Sequence, residues 1–259
     1  MPVTGNNIRT SKKIVSIRLS AGGLSFWNAS AGIPEGRWPD GAVITDEATE
    51  SYVPFGDPGD TAAAVGKAVE RAGSSFLRSH ERTSPVLLDT PKTVLVPQRL
   101  YDPDDAGKYL AFHGLEPAEG ERVYVSDPVG GTVAVMAANG QRTEALKERT
   151  GDPALISPLQ YNLMLPVSDL KIKKGVGAYC AAVHLAPSRC YVSLFLVSSG
   201  GRELVFCDHY PYAGAADLLY YLGMMAGRYP GAGGMPVILR GHGADKEAKA
   251  IGKYHRIIR

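Results

Sequence analysis

Tyr191–Gly223, "YVSLFLVSSGGRELVFCDHYPYAGAADLLYYLG", and Pro236–His242, "PVILRGH", are the stretches whose reading decides the fold. Cys190 to Val197 and Glu203 to Cys207 read as strands, joined by the turn Ser198-Ser199-Gly200-Gly201. The spacing then predicts a helix from Ala213 to Ala226, with Leu218, Leu222 and Met225 on one face and Leu219 and Ala226 beside them. Pro236 to Leu239 is a short apolar run typical of a buried strand, and it ends on Arg240-Gly241-His242-Gly243. Upstream, Ala178 to Leu185 is a strand that reaches Cys190 through Ala186-Pro187-Ser188-Arg189. Downstream, Asp245 is placed to cap a helix running to about Tyr254.

The same vocabulary extends towards the N-terminus. Val15-Ser16-Ile17-Arg18-Leu19 alternates apolar and polar residues, as a half-buried strand does, and Ile14 begins it. Ala21-Gly22-Gly23 turns it back into Leu24–Trp27, making a hairpin. Residues 1–13 read as a loosely attached polar start without the apolar core of a secretory signal. A Gly/Pro-rich loop spans Gly32 to Gly41, short strands are predicted at 42–45 and 51–55, and Asp60-Thr61 opens a helix to about Arg71. Strands at 86–88 and 93–96 precede a helix through Phe112 capped by Asp102 or Asp104. Gly114 to Gly120 reads as a linker. Beyond it come strands at 123–125 and 132–136, a helix at 141–149, a strand at 154–156 and a helical stretch over 160–170 interrupted by Pro166. Two hairpins with Gly-Gly turns, 14–27 and 191–207, each feed later helix–strand units. A duplicated two-lobe protein gives that pattern, and so do two unrelated hairpins.

Composition excludes several classes. Apolar content of 44%, charged content of 21% and a net charge of +2 describe an ordinary globular chain with no bulk attraction for polyanions. The longest apolar runs are far too short to span a bilayer. Cys180, Cys190 and Cys207 are odd in number and lack a CxxC spacing, so reduced thiols and a cytoplasmic setting are expected. The residues 59–67 resemble a P-loop only superficially, because six residues separate the glycines and Ala68 follows Lys67. The six histidines show no metal-ligand spacing.

Tyr191–His242, with "VSIRLSAGGLSF" at residues 15–26 and "KTVLVPQRLYDPDDAGKYLAFHGLEP" at residues 92–117, resembles an uncharacterised bacterial family with an actin-like ATPase fold. These segments run in the family's order, with unmatched stretches between them. The resemblance implies an α/β protein of two pseudo-duplicated ribonuclease H-like lobes with a cleft between them. The expected division is a first lobe at 14–117 and a joining segment with the second lobe at 118–259. It implies no activity.

An active member of that fold places a carboxylate and small residues at the first hairpin of each lobe. Backbone amides there cradle phosphates, and the acid holds Mg²⁺ with its waters. Here Ser20 stands at the acid's place, while Gly22 and Gly23 either admit a phosphate or supply positive φ to the turn. In the second lobe the turn 184–189 has no acid and no glycine pair, and Pro187 lacks an amide proton. Gly241 and Gly243 match the glycines against which adenosine lies, with His242 between them; the plainer reading is a strand end turning into the next helix. The candidate nucleotide-binding residues are therefore Ser20, Gly22, Gly23, Gly241, His242 and Gly243, with no catalytic residue and no metal ligand assigned.

Three functional readings follow. The first is a binding or scaffolding module without ATPase chemistry, whose interlobe cleft could hold ATP, another nucleotide or an anion but need not. The second is a nucleotide-dependent ATPase or kinase-like enzyme whose carboxylate is relocated, for instance to Asp208 or Asp217. The third is RNA binding through Lys246, Lys249, Lys253, Arg256 and Arg259; a solvated face that complements a helix C-terminus accounts for these residues better. An exposed pair among Tyr210, Tyr212, Tyr220 and Tyr221 would suit a protein partner.

Overall fold

The computed structural model describes residues 9–34, 43–47, 51–55, 61–72, 85–151, 153–165, 177–198 and 201–258. The expected loop at 35–41, the cap at Asp60, the continuation of the helical stretch through 166–170 and the turn residues Ser199 and Gly200 lie outside them. The first hairpin pairs β1 (Arg9–Ser20) with β2 (Gly23–Pro34). It is longer than alternation predicts: the ladder runs from Leu19↔Leu24 out to Arg9↔Pro34, because backbone pairing continues regardless of side-chain polarity. Arg9 to Lys13 therefore belong to a strand, not to a loose terminus.

Next come β3 (Val43–Glu47), β4 (Ser51–Pro54), α1 (Thr61–Ala72), β5 (Val86–Asp89) and β6 (Thr93–Pro97). Asp102 caps a short 3₁₀ turn, Pro103–Asp105, by accepting the amide of Asp104, and α2 (Ala106–Phe112) continues from it. Then follow β7 (Glu121–Val125), β8 (Thr132–Asn139) and α3 (Gly140–Thr150), whose cap is Asn139 and whose end is Gly151 at φ 77°. β9 (Leu155–Ile156) and α4 (Pro158–Leu163) lead to β10 (Ala178–Ala186), β11 (Arg189–Ser198) and β12 (Gly201–Pro211). The chain closes with α5 (Ala215–Arg228), β13 (Val237–Gly241), α6 (Ala244–Ile251) and β14 (Ile257–Ile258). Asp245 is not the cap of α6: Gly243 holds that position and Asp245 lies in the first turn, where its charge suits the helix dipole. The helix also stops at Ile251 rather than near Tyr254.

The topology carries a duplication. One sheet runs β3-β2-β1-β5-β9, with β4 as an extra strand pairing β2, and another runs β12-β11-β10-β13-β14; the strands of each five-strand path are counted first to fifth in chain order. In both, the first three strands form an antiparallel meander, and the fourth and fifth pair in parallel on the far side of the first. A third, small sheet, β6-β8-β7, is inserted between the fourth strand of the first repeat and α3. The contacts group the chain into two compact units, residues 1–160 and 161–259. The Gly114–Gly120 stretch joins α2 to β7 inside the small sheet's region, so the first repeat closes only at β9, well beyond residue 117.

Each unit has its own core. In the first, Ile17, Leu19, Phe26, Val65, Leu88 and Leu146 pack together, and β8 contributes Ala134 and Met136 to it while Val135 and Ala137 face Leu110 of α2. In the second, Val183, Leu185, Val192 and Leu239 meet Leu218, Leu222 and Met225 of α5, the face that the sequence predicts. We predict that Leu222→Ala, at a fully buried site, lowers the unfolding free energy by about 2–5 kcal/mol in denaturant titration.

Candidate functional site

In both units, the turn after the first strand comes next to the end of the fourth. In the first unit, Ser20 is the parallel partner of Asp89. The Ser20 hydroxyl donates to the Gly23 carbonyl at 3.0 Å and accepts the Gly23 amide at 3.2 Å, closing the turn on itself. Tyr52 of β4 shares a hydrogen bond with Ser20, and burial pushes the Tyr52 phenol up from its ordinary value. The other two tip carbonyls are also held: Gly22 accepts the Phe55 amide at 2.9 Å, and Ala21 accepts Arg142 Nη1 at 2.7 Å. The Arg142 guanidinium lies over the Phe55 ring, 4.9 Å from its centroid.

Gly22 and Gly23 are glycines for a reason other than φ. Neither occupies the left-handed region. A Cβ on Gly23 would stand 2.5 Å from the Val53 carbonyl oxygen and 2.8 Å from the Tyr52 ring, and one on Gly22 would stand 3.0 Å from the Tyr52 hydroxyl. The glycines let β4 cross close to the turn. The expectation that they supply positive φ is thereby corrected, and the space beside them is occupied by this chain's own Tyr52 and Val53.

Beneath the turn lies a buried charge pair that the pattern conceals. Arg18 and Ser16 are fully buried, although the alternation of β1 puts them on the polar face. Arg18 Nη2 donates to Ser25 Oγ at 3.3 Å, its Nε stands 3.9 Å from Asp89 Oδ2, and the guanidinium lies 5.9 Å from the Trp27 ring centroid. A buried charge without its counter-ion is strongly disfavoured, so Arg18 and Asp89 each hold the other in place. Nothing in the local sequence marks Asp89 as its partner; the parallel pairing of β1 with β5 brings them together.

The second unit repeats the corner with different chemistry. Ala186 and Arg189 pair across the turn, and the Ser188 carbonyl accepts the Tyr212 amide at 3.0 Å. Gly241, at φ +93°, is the parallel partner of Leu185, and any Cβ there would collide with the Leu185 backbone. His242 then donates its amide to the Leu185 carbonyl at 2.9 Å. Gly243, at φ +71° and open to space, starts α6, its carbonyl accepting the amides of Lys246 and Glu247. Glu247 is nearly buried and hydrogen-bonds the Tyr212 hydroxyl; burial first and this carboxylate second push that phenol up. Thus Ser20, Gly22 and Gly23 gather in one turn, and Gly241, His242 and Gly243 in another, each shaped by contacts within its own unit.

The remaining acids have local roles. Asp217 Oδ2 accepts the Ala213 amide at 2.8 Å at the start of α5, and Asp208 Oδ1 accepts the His209 amide at 2.8 Å while the carboxylate bonds the Tyr210 hydroxyl. Among the described residues no group of three or more His, Cys, Asp or Glu is placed to hold a metal ion, and no helix is long and apolar enough to cross a membrane. The three cysteines are free; burial pushes Cys180 and Cys190 up to about 12 and Cys207 up to about 11, keeping them as thiols at neutral pH.

Two predictions follow from these corners. Gly23→Ala lowers the melting temperature, because the added methyl collides with β4, whether or not nucleotide is present. Asp89→Ala, which strands Arg18, costs about 3–5 kcal/mol in chemical denaturation. An equal loss in Arg18→Met/Asp89→Leu would contradict the charge-pair account, since that double variant leaves no buried charge.

Comparison with known proteins agrees with this architecture. The chain is similar to a Bacteroides thetaiotaomicron protein with actin-like ATPase fold and unknown function, at 14% identity and TM-score 0.60, covering 100% of this chain and 94% of that one. It is more loosely similar to a PilM–PilN type IV pilus biogenesis complex, at 12% identity and TM-score 0.46 over 95% and 88% of the two chains. A Cytophaga hutchinsonii exopolyphosphatase is looser again, at 10% identity and TM-score 0.35 over 93% and 64%. The first of these, with the duplicated strand order, shows the actin-like ATPase fold; no curated protein matches. The family model described as protein of unknown function (DUF3822) matches residues 57–228, and the chain belongs to that family.

Proposed function

We propose that this chain is a non-catalytic binding module that keeps the actin-like framework without its phosphate chemistry. The observation that carries the reading is the first hairpin. Ser20 occupies the acid's position and bonds Gly23 in both directions, and the tip carbonyls are taken by Phe55 and Arg142. The glycines that would admit a phosphate admit β4 instead. The second corner supports the same reading, since Gly241 accommodates Leu185 and Gly243 begins a helix. Three cysteines without a disulfide among the described residues suit a reducing, cytoplasmic setting.

One observation favours a second reading. Asp89 stands directly across from Ser20 in the ladder, so a nucleotide-dependent enzyme would find its relocated carboxylate there rather than at Asp208 or Asp217. Its pairing with buried Arg18 weighs against this, because the cation neutralises the charge that Mg²⁺ would need.

Incubation with Mg-ATP separates the two. The binding-module reading expects no phosphate release above buffer, with or without a nucleotide-dependent rise in melting temperature, which only a ligand that binds the native state produces. Mg-dependent turnover that disappears in Asp89→Asn, with the fold intact by circular dichroism, would overturn it. A thermal shift with ATP but no turnover would place a nucleotide on a non-catalytic module.

A further inference from the structure

The helix α5 is apolar almost all round. Its fourteen residues, "AADLLYYLGMMAGR", carry charge only at Asp217 in the first turn and Arg228 at the last position. One face is accounted for by Leu218, Leu222 and Met225 in the core. The opposite face, where a solvated helix carries Lys, Glu and Arg, instead presents Ala216, Tyr220, Gly223, Met224 and Gly227, all exposed. Tyr220 is 68% exposed and Met224 41%.

The two glycines sharpen the point. Gly223 sits in the helix interior, where glycine costs about 1 kcal/mol relative to alanine, and Gly227 lies in the last turn. Among the described residues nothing requires them: neither has φ in the left-handed region, and a Cβ at either meets no atom within 4 Å. Small residues with open space above them on an apolar helix are what close approach of another backbone uses.

We propose that this face of α5 is a self-association surface, and that a second copy of this chain packs its own α5 antiparallel across it. The face is its own complement when reversed. Along the helix the stripe reads large, small, large, small: Tyr220, Gly223, Met224, Gly227. A two-fold axis perpendicular to the helix between positions 223 and 224 sets Tyr220 over the partner's Gly227 and Met224 over the partner's Gly223. By symmetry the same contacts recur in reverse, as a closed two-fold interface demands. Charge follows size. With about 3.6 residues per turn, Asp217 and Arg228 fall on the same flank of the stripe at opposite ends. The antiparallel arrangement therefore brings Asp217 of each copy, which also accepts the Ala213 amide, to within about two residue positions along the axis of Arg228 on the other, whose guanidinium lies 5.9 Å from the Phe206 ring centroid and 5.7 Å from that of Tyr229 in its own copy; a parallel two-fold pair would set these charges on opposite flanks. A partner of unrelated sequence would not require this reciprocity. The proposal goes beyond the binding-module reading and does not depend on it.

Sedimentation velocity of the full chain over a concentration series should show a monomer–dimer equilibrium. Gly227→Lys, at a site with open space, and Tyr220→Lys, which removes an exposed ring whose edge-on contact is with Tyr221 of its own helix, should raise the dimer dissociation constant about tenfold or more. Their melting temperatures, measured below the dissociation constant, should stay level or rise, which separates lost association from misfolding. Mild oxidation of Gly223→Cys should cross-link two copies, because the partner residue is one position away across the axis. Ala216→Cys, roughly 22 Å from its counterpart along the axis, should not cross-link above the wild-type background. A wild-type chain that is monomeric at every concentration overturns the proposal and leaves the face to a partner of different sequence. A dimer that survives both lysine variants, or that cross-links equally through Ala216→Cys, also overturns it.

Discussion

The parallel pairing of the first strand with the fourth, β1 with β5 and β10 with β13, is the constraint from which the rest of this fold follows. A hairpin forms from neighbouring residues, whereas these ladders join segments some 50 to 70 positions apart and close only when a helix has crossed the sheet between them. Their ends also define the corners where the turn after the first strand meets the end of the fourth. Ser20 meets Asp89 at one corner, and Leu185 meets Gly241 at the other. Because the strand order is the same in both units, the two corners are topological equivalents, and their differences are changes of chemistry on one frame.

Those differences all point inward. In the first unit the carbonyls of the turn are satisfied by Ser20, Phe55 and Arg142, and the glycines accommodate Tyr52 and Val53. In the second, a glycine at positive φ fits against the Leu185 backbone and the glycine at 243 begins a helix. The neighbours of these turn residues are supplied by the chain itself. Arg18 and Asp89 extend the same logic beneath the surface, a buried pair whose members are each intolerable alone.

Much of the fold was legible. The apolar stripe of α5, the short buried strand β13 and both hairpins follow from period and turn chemistry, because those signals are local. The long extension of β1 and β2 was not, since polar residues at 9–13 gave no alternation while the backbone ladder needed none. The closing strand of the first repeat was hidden by the inserted small sheet, which carries the chain from β5 through β8 and α3 before β9 returns to pair with β5. Ser20, Gly22 and Gly23 were identifiable as a turn, but their neighbours Tyr52 and Val53 come from a strand that only tertiary packing brings across.

By itself the sequence determined the strands of the last third and the buried face of α5, and grouped Ser20, Gly22 and Gly23 in one turn and Gly241 and Gly243 in another, because residue type and spacing are local quantities. Tertiary structure alone decided what those residues touch. Arg18 reads as a solvent-facing strand residue until β5 pairs beside it and supplies Asp89. Gly22 and Gly23 read as a phosphate cradle or a φ-permissive turn until β4 lies against them. The physical reason is one: a side chain's chemistry is set by its identity, but its partners are set by pairings between segments far apart along the chain, and the sequence does not print those pairings.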